Sequence, residues 1–110
     1  MSMGSTLSGN GYITSSILAG SDSSGFYTTI TTDEIITFVP IGGNAVSLNS
    51  IAITPTTDMK LKFNVGANAL DYGFVYITGG TTKTIEGFDI DNMQVLGASG
   101  QKLYFEATWF

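Results

Sequence analysis

Apolar and polar side chains alternate most regularly along Met59-Lys60-Leu61-Lys62-Phe63-Asn64-Val65. Met59, Leu61, Phe63 and Val65 fall on one face, and Lys60, Lys62 and Asn64 on the other. That two-residue period is the mark of a strand with one dry and one wet side. It returns near the C-terminus, where Leu103, Phe105, Ala107 and Trp109 share one face and Tyr104, Glu106, Thr108 and Phe110 the other. Between residues 45 and 54 the alternation changes phase: Val46 and Leu48 have one parity, Ile51 and Ile53 the other. A bulge or bend near Asn49-Ser50 reconciles them. Residues 73–78, GFVYIT, are apolar on both faces, as expected inside a sandwich or at a contact between subunits, and Gly79-Gly80 ends the run.

Shorter β-rich runs cover residues 12–18, 26–32, 35–39, 83–86, 88–90 and 93–96. Turns are expected at residues 21–25, at Asp33-Glu34, after Pro40 at Gly42-Gly43-Asn44, and at residues 97–100, where Gly-Ala-Ser-Gly reads as a short hairpin loop. Nowhere does apolar spacing of three and four persist long enough for a helix. The pattern predicts an all-β chain: a single-domain antiparallel β-sandwich over residues 12–110, jelly-roll-like, with about eight short strands. Residues 1–11 carry a single Leu besides Met, among Ser, Gly, Thr and Asn. They are expected to form a flexible arm that orders only against a neighbour. The strand that reaches Trp109-Phe110 is expected to be packed, with no tail after it.

The 110 residues leave room for one core. Hydrophobic residues make up 43% but charged ones only 12%, about half the usual share, so the wet faces must be built from neutral groups. Thr (15), Ser (11) and Gly (14) supply them. His, Cys and Arg are absent. That excludes Ser-His-Asp and Cys-His catalysis and zinc sites built on His or Cys. A net charge of -5 with four scattered lysines argues against nucleic acid and anionic membranes as partners. No apolar stretch is long enough for a spanning helix. The N-terminal region lacks a basic segment, and its Ile17-Leu18-Ala19 run is too short for an export signal. The expectation is a soluble protein without cofactor.

Three groups of residues carry candidate chemistry. Asp89-x-Asp91-Asn92 is the densest acidic cluster, but the order of Glu86 and Gly87 does not fit an EF-hand loop. Alternation places Asp89 and Asp91 on the solvent side opposite Phe88 and Ile90, with Asp91-Asn92 as a turn. Glu34, Asp58, Asp71, Glu86 and Glu106 supply carboxylates for a glycosidase pair, yet nothing in the sequence selects two of them. Gly79-Gly80-Thr81-Thr82-Lys83 lacks P-loop spacing and reads as a turn entering a strand. Among the aromatics, Tyr12, Phe26, Tyr27, Tyr72, Tyr76, Tyr104 and Trp109 are divided between core, subunit contact and surface. An amide, a carboxylate and an aromatic come together at Asn68, Asp71 and Tyr72, the address of a sugar-binding reading.

The segment from Thr84 to Glu106 resembles the C-terminal end of small accessory structural proteins of tailed bacteriophages. The likeness lies in an Ile-x-Gly-Phe-x-Ile step at Ile85 to Ile90, a Val95-Leu96-Gly97 strand end, a Gly-containing turn and a last aromatic strand, within residues 84–110. The resemblance implies a non-enzymatic virion component, a capsid decoration protein or a tail or baseplate module. Such a protein is assembled in the host cytoplasm, forms a homo-oligomer, with a homotrimer expected, and docks on other virion proteins. A carbohydrate-binding or adhesin module that holds a surface glycan at Asn68, Asp71 and Tyr72 is the alternative.

Overall fold

The computed structural model describes residues 11–17, 25–40, 42–66 and 74–109. Among the described residues nine strands follow one another: β1 (Gly11–Thr14), β2 (Tyr27–Thr28), β3 (Glu34–Thr37), β4 (Leu48–Pro55), β5 (Met59–Phe63), β6 (Val75–Ile77), β7 (Lys83–Ile90), β8 (Asn92–Val95) and β9 (Lys102–Trp109). A 3-10 turn, Ser15–Ile17, follows β1. Two antiparallel sheets face each other. One runs β1-β9-β4-β7, with β2 also paired to β9; the other runs β3-β8-β5-β6. From β3 onward every connection changes sheet except the one between β5 and β6. This interleaving is the jelly roll, with β2 added at the margin.

The alternation read from the sequence governs which side chains go in. On β5, Met59, Leu61 and Phe63 are buried while Lys60 and Lys62 lie outside. On β9, Leu103, Phe105 and Ala107 are buried and Tyr104, Glu106 and Thr108 face outward. The phase change in β4 is met by a break in register: Leu48 pairs with Ile90 but Ser50 pairs with Glu86. Asn49 therefore stands opposite three residues of β7, among them Gly87 at a φ of 98°, a backbone angle that favours glycine. The bulge keeps Leu48, Ile51 and Ile53 all in the core. Because of it, residues 83–90 form one bent strand where the sequence pattern gives two.

The sheets meet over Ile13, Ile51, Ile53, Leu103 and Phe105 on one side and Ile36, Leu61, Phe63, Met93 and Val95 on the other. Phe38, just past β3, packs its ring edge-to-face on Phe105 at 5.8 Å and ties the layers together. One buried hydroxyl serves the same junction. Ser15 is fully buried, yet its Oγ donates to Gly25 O at 2.7 Å and accepts the Phe105 N–H at 3.2 Å. The group is satisfied.

Residues 97–100 do not form a hairpin. β8 belongs to one sheet and β9 to the other, so this short segment is a crossover between layers. It runs beside a second crossover, residues 29–33, and the two are laced together. Asp33 N–H donates to Gly97 O and Gly97 N–H to Asp33 Oδ1, while Thr29 N–H donates to Gln101 O and Gly100 N–H to Thr29 O. The expected strand over residues 26–32 shrinks to Tyr27–Thr28, because the backbone beyond it is committed to this lacing and to the turn before β3. Glu34 begins β3 and holds that turn: its carboxylate accepts the Ile30 and Thr31 N–H groups at 2.7 and 3.2 Å. The turn thus centres on Thr32-Asp33, one position earlier than Asp33-Glu34.

The strand expected over residues 12–18 is confined to Gly11–Thr14. Apart from Gly11, which pairs with Trp109, the expected arm at residues 1–11 lies outside the described residues. Among the described residues, no helix is long and apolar enough to cross a membrane.

Candidate functional site

The sequence-derived ligand set, Asn68, Asp71 and Tyr72, lies outside the described residues, and so does Asp71 as a candidate acid. The other candidates can be placed. Glu86 and Glu106 share the outer face of the five-stranded sheet but stand on β7 and β9, with β4 between them. Glu34 sits on the other sheet, with Tyr27 donating its hydroxyl to it at 2.6 Å. Asp58 accepts the Gly79 N–H at 2.9 Å. The four carboxylates do not converge on one cleft. Among the described residues no three acidic side chains group as a metal site.

The Asp89-x-Asp91-Asn92 cluster works as a structural clamp. Both aspartates are exposed, and Asp91 accepts a hydrogen bond from the Ser47 hydroxyl. Asn92 exchanges two bonds with the backbone of Val65, and Asn64 does the same with Asp89 O and Asp91 N–H. The turn at residues 78–81 leads into β7 as expected, closed by Thr81 N–H on Thr78 O.

What the structure does assemble is a pair of broad sheet faces. Outward on the four-stranded sheet stand Ile35 and Gln94, which are register partners, then Lys62, Lys60 and Tyr76, with Phe74 just before β6. Three of these are large apolar groups in water: Ile35 is 47% exposed, Phe74 55% and Tyr76 69%. The ammonium of Lys60 lies 4.0 Å from the centre of the Phe74 ring and 5.4 Å from that of Tyr76, and Lys62 is 5.3 Å from Phe74. Each lysine ammonium thus stands over an aromatic ring, a cation–π arrangement that restricts it before any partner arrives. Phe74 is absent from the aromatics singled out by sequence. Its signal was parity: Phe74 and Tyr76 alternate with Val75 and Ile77, and Ile77 is buried while Val75 packs against the core.

The second face belongs to the five-stranded sheet. Ser50, Ala52 and Thr54 of β4 line its middle, flanked by Thr108 and Glu106 on β9 and by Thr84 and Glu86 on β7. Tyr12 covers one margin and donates its hydroxyl to Glu106 Oε1 at 2.8 Å. That bond, with partial burial, pushes the Tyr12 phenol up to about 12. Elsewhere, burial and then the bond to Glu34 raise the Tyr27 phenol. Burial would push the Glu34 carboxyl up, but the bonds from Tyr27, Ile30 and Thr31 outweigh it and hold the group below its ordinary value.

No family model and no curated protein matches this chain. Among solved structures, it aligns with a chain from Bacillus endospore appendages, described as forming a novel family of disulfide-linked pili. The two are 9% identical over 91% of this chain and 85% of that one, with a TM-score of 0.46. A likeness at that level carries no argument about what this protein does.

Proposed function

We propose that the protein is a non-enzymatic structural subunit that acts by self-association and by docking onto a larger lattice. We place it, on the resemblance of residues 84–110, among the capsid decoration or tail and baseplate proteins of a bacteriophage particle. The observation that carries this reading is the chemistry of the two outer sheet faces. The face of the five-stranded sheet is formed largely of Thr, Ser and Ala around Glu86 and Glu106, and the face of the four-stranded sheet sets Thr37, Asn92 and Gln94 beside two lysines and leaves Ile35, Phe74 and Tyr76 in water. Neutral hydroxyl and amide groups lose less on desolvation than ions do, and exposed aromatic clusters mark contact surfaces. Such faces suit burial against identical neighbours, and a homotrimer is the expected oligomer.

Light scattering over a micromolar to millimolar concentration series tests the proposal. A mass that rises to a multiple of the chain supports it, and a strict monomer throughout overturns it. The sugar-binding alternative keeps one observation in its favour, the exposed ring of Tyr76, which follows Asn68, Asp71 and Tyr72 closely in the sequence. A glycan array probed with the folded protein separates the two, since a lattice subunit leaves it blank.

A further inference from the structure

We infer that copies of this chain associate front to back: the Lys60, Lys62, Phe74 and Tyr76 face of one copy seats on the Glu86 and Glu106 face of the next. The inference deepens the assembly reading and rests on it.

Charge is the first argument. The chain has four basic residues against nine acidic ones, and two of the four stand two positions apart on β5, pointing out of the four-stranded sheet. The other outward positions of that sheet, Ile35 and Thr37 on β3, Asn92 and Gln94 on β8 and Tyr76 on β6, include no carboxylate. Glu34 is turned to Tyr27, and Asp58 to Gly79 at the rim. The opposite face of the sandwich is complementary. Its outward strand positions hold Glu86, Asp89 and Glu106 and otherwise Tyr, Thr, Ser and Ala, with Lys83 exposed at the start of β7 and Lys102 at the far margin beside Thr28.

Geometry is the second argument. Two positions along a strand separate Lys60 from Lys62 by about 7 Å, and two strands with a two-residue offset separate Glu86 from Glu106 by about 12 Å. The difference is within the reach of a lysine side chain. In such a contact Phe74 and Tyr76, which stand beside the lysines on β6 and just before it, would meet the small side chains around Ser50, Ala52 and Thr84. The aromatic contact supplies affinity, and the charges supply orientation.

Like charge also counts against the simplest alternative. A two-fold contact whose axis passes through the lysine pair or the glutamate pair would set like charges against each other. The front-to-back contact is instead heterologous and uses opposite sides of the sandwich, so it stacks copies into an open filament and is separate from the contact that would close a trimer.

The test is sedimentation and light scattering of the full chain, for the wild type, for K60E/K62E and for E86K/E106K, at low and high salt. Each reversed variant is expected to associate about tenfold or more weakly than the wild type. An equimolar mixture of the two is expected to regain assembly, because each then offers the face the other lacks. Circular dichroism confirms folding. If loss of the Tyr12 bond to Glu106 impairs the double variant, Glu86→Lys alone serves, with a smaller loss. Assembly of the wild type that neither reversal nor salt weakens overturns the front-to-back contact and leaves the assembly reading standing. A monomeric wild type overturns both.

Discussion

The side-chain amides of Asn64 and Asn92 are each bonded into the other's stretch of backbone. Asn64 Nδ2 donates to Asp89 O and its Oδ1 accepts Asp91 N–H, both at 2.7 Å; Asn92 Oδ1 accepts Val65 N–H at 2.8 Å and its Nδ2 donates to Val65 O at 2.9 Å. Four bonds from two amides fix the end of β5 to the one-residue turn between β7 and β8. Asn64 does so at a φ of 56°, in the left-handed region that asparagine tolerates better than most side chains.

Replacement of Asn64 separates the two contributions. Asn64→Gly keeps the backbone angle without strain and loses the amide bonds, an expected loss of about 1–2 kcal/mol. Asn64→Ala loses the bonds and adds left-handed strain of about 1 kcal/mol. Urea unfolding is expected to rank wild type above Gly above Ala. Equal midpoints for the two variants would show that the angle is not held in the folded protein.

Glu34 gives a prediction in pH. Its carboxyl lies below the ordinary value of 4.5 in the folded protein, so the charged form is the one the fold prefers. The resulting stability is fully present above the ordinary value and is lost as pH falls through the depressed one. Thermal unfolding of wild type against Glu34→Gln is expected to show the wild type ahead at neutral pH, by about 1 kcal/mol for a carboxylate that caps a turn. The gap is expected to close below pH 4.5.

Tyr12 works in the opposite direction. With its phenol pushed up to about 12, the neutral form is favoured, and its contribution persists below the ordinary value and disappears as pH rises through the folded one. Tyrosinate absorbance is expected to show one tyrosine titrating near pH 12, and Glu106→Gln is expected to bring that titration down. A curve that Glu106→Gln leaves unmoved would mean the hydroxyl is not bonded to Glu106.

Gly11 and Trp109 form a close pair at the start of β1. They are register partners, and the indole lies where a side chain at position 11 would stand. Gly11→Ala is expected to lower stability by about 1–3 kcal/mol through overpacking. Adding Trp109→Ala removes the obstacle. In the double-mutant cycle the penalty of the alanine at position 11 is expected to shrink, and additive losses would refute the contact.

What was legible in the sequence follows from the period-two rule. Met59, Leu61 and Phe63, like Leu103, Phe105 and Ala107, announce which way they point, and the broken phase around Asn49-Ser50 announces its bulge. In a sandwich, however, both sheets point their apolar sides inward, so parity says that a residue is inside without saying which layer carries it. That is why residues 97–100 read as a hairpin and prove to be a crossover. The lacing of Thr29 and Asp33 to Gly97, Gly100 and Gln101 is made mostly of backbone bonds between residues distant in sequence, helped by the Thr29 and Asp33 side chains, and carries no periodic signal. The lysine and aromatic face was legible in halves: Lys60 and Lys62 on the wet side of one strand, and an apolar Phe74-Val75-Tyr76-Ile77 run. Only the β5–β6 register brings the halves together.

One feature of the topology governs how the protein comes into being. β9 is the central partner of β1, β2 and β4, yet it is the last of these strands to be synthesised. Until Lys102–Trp109 emerges, the earlier strands of that sheet have an empty lane between them and their apolar sides lie open. The four-stranded sheet and the β4–β7 pair can form beforehand, but β1, β2 and β4 are joined only in this late step, so the interval before closure is when the first sheet is most exposed to aggregation.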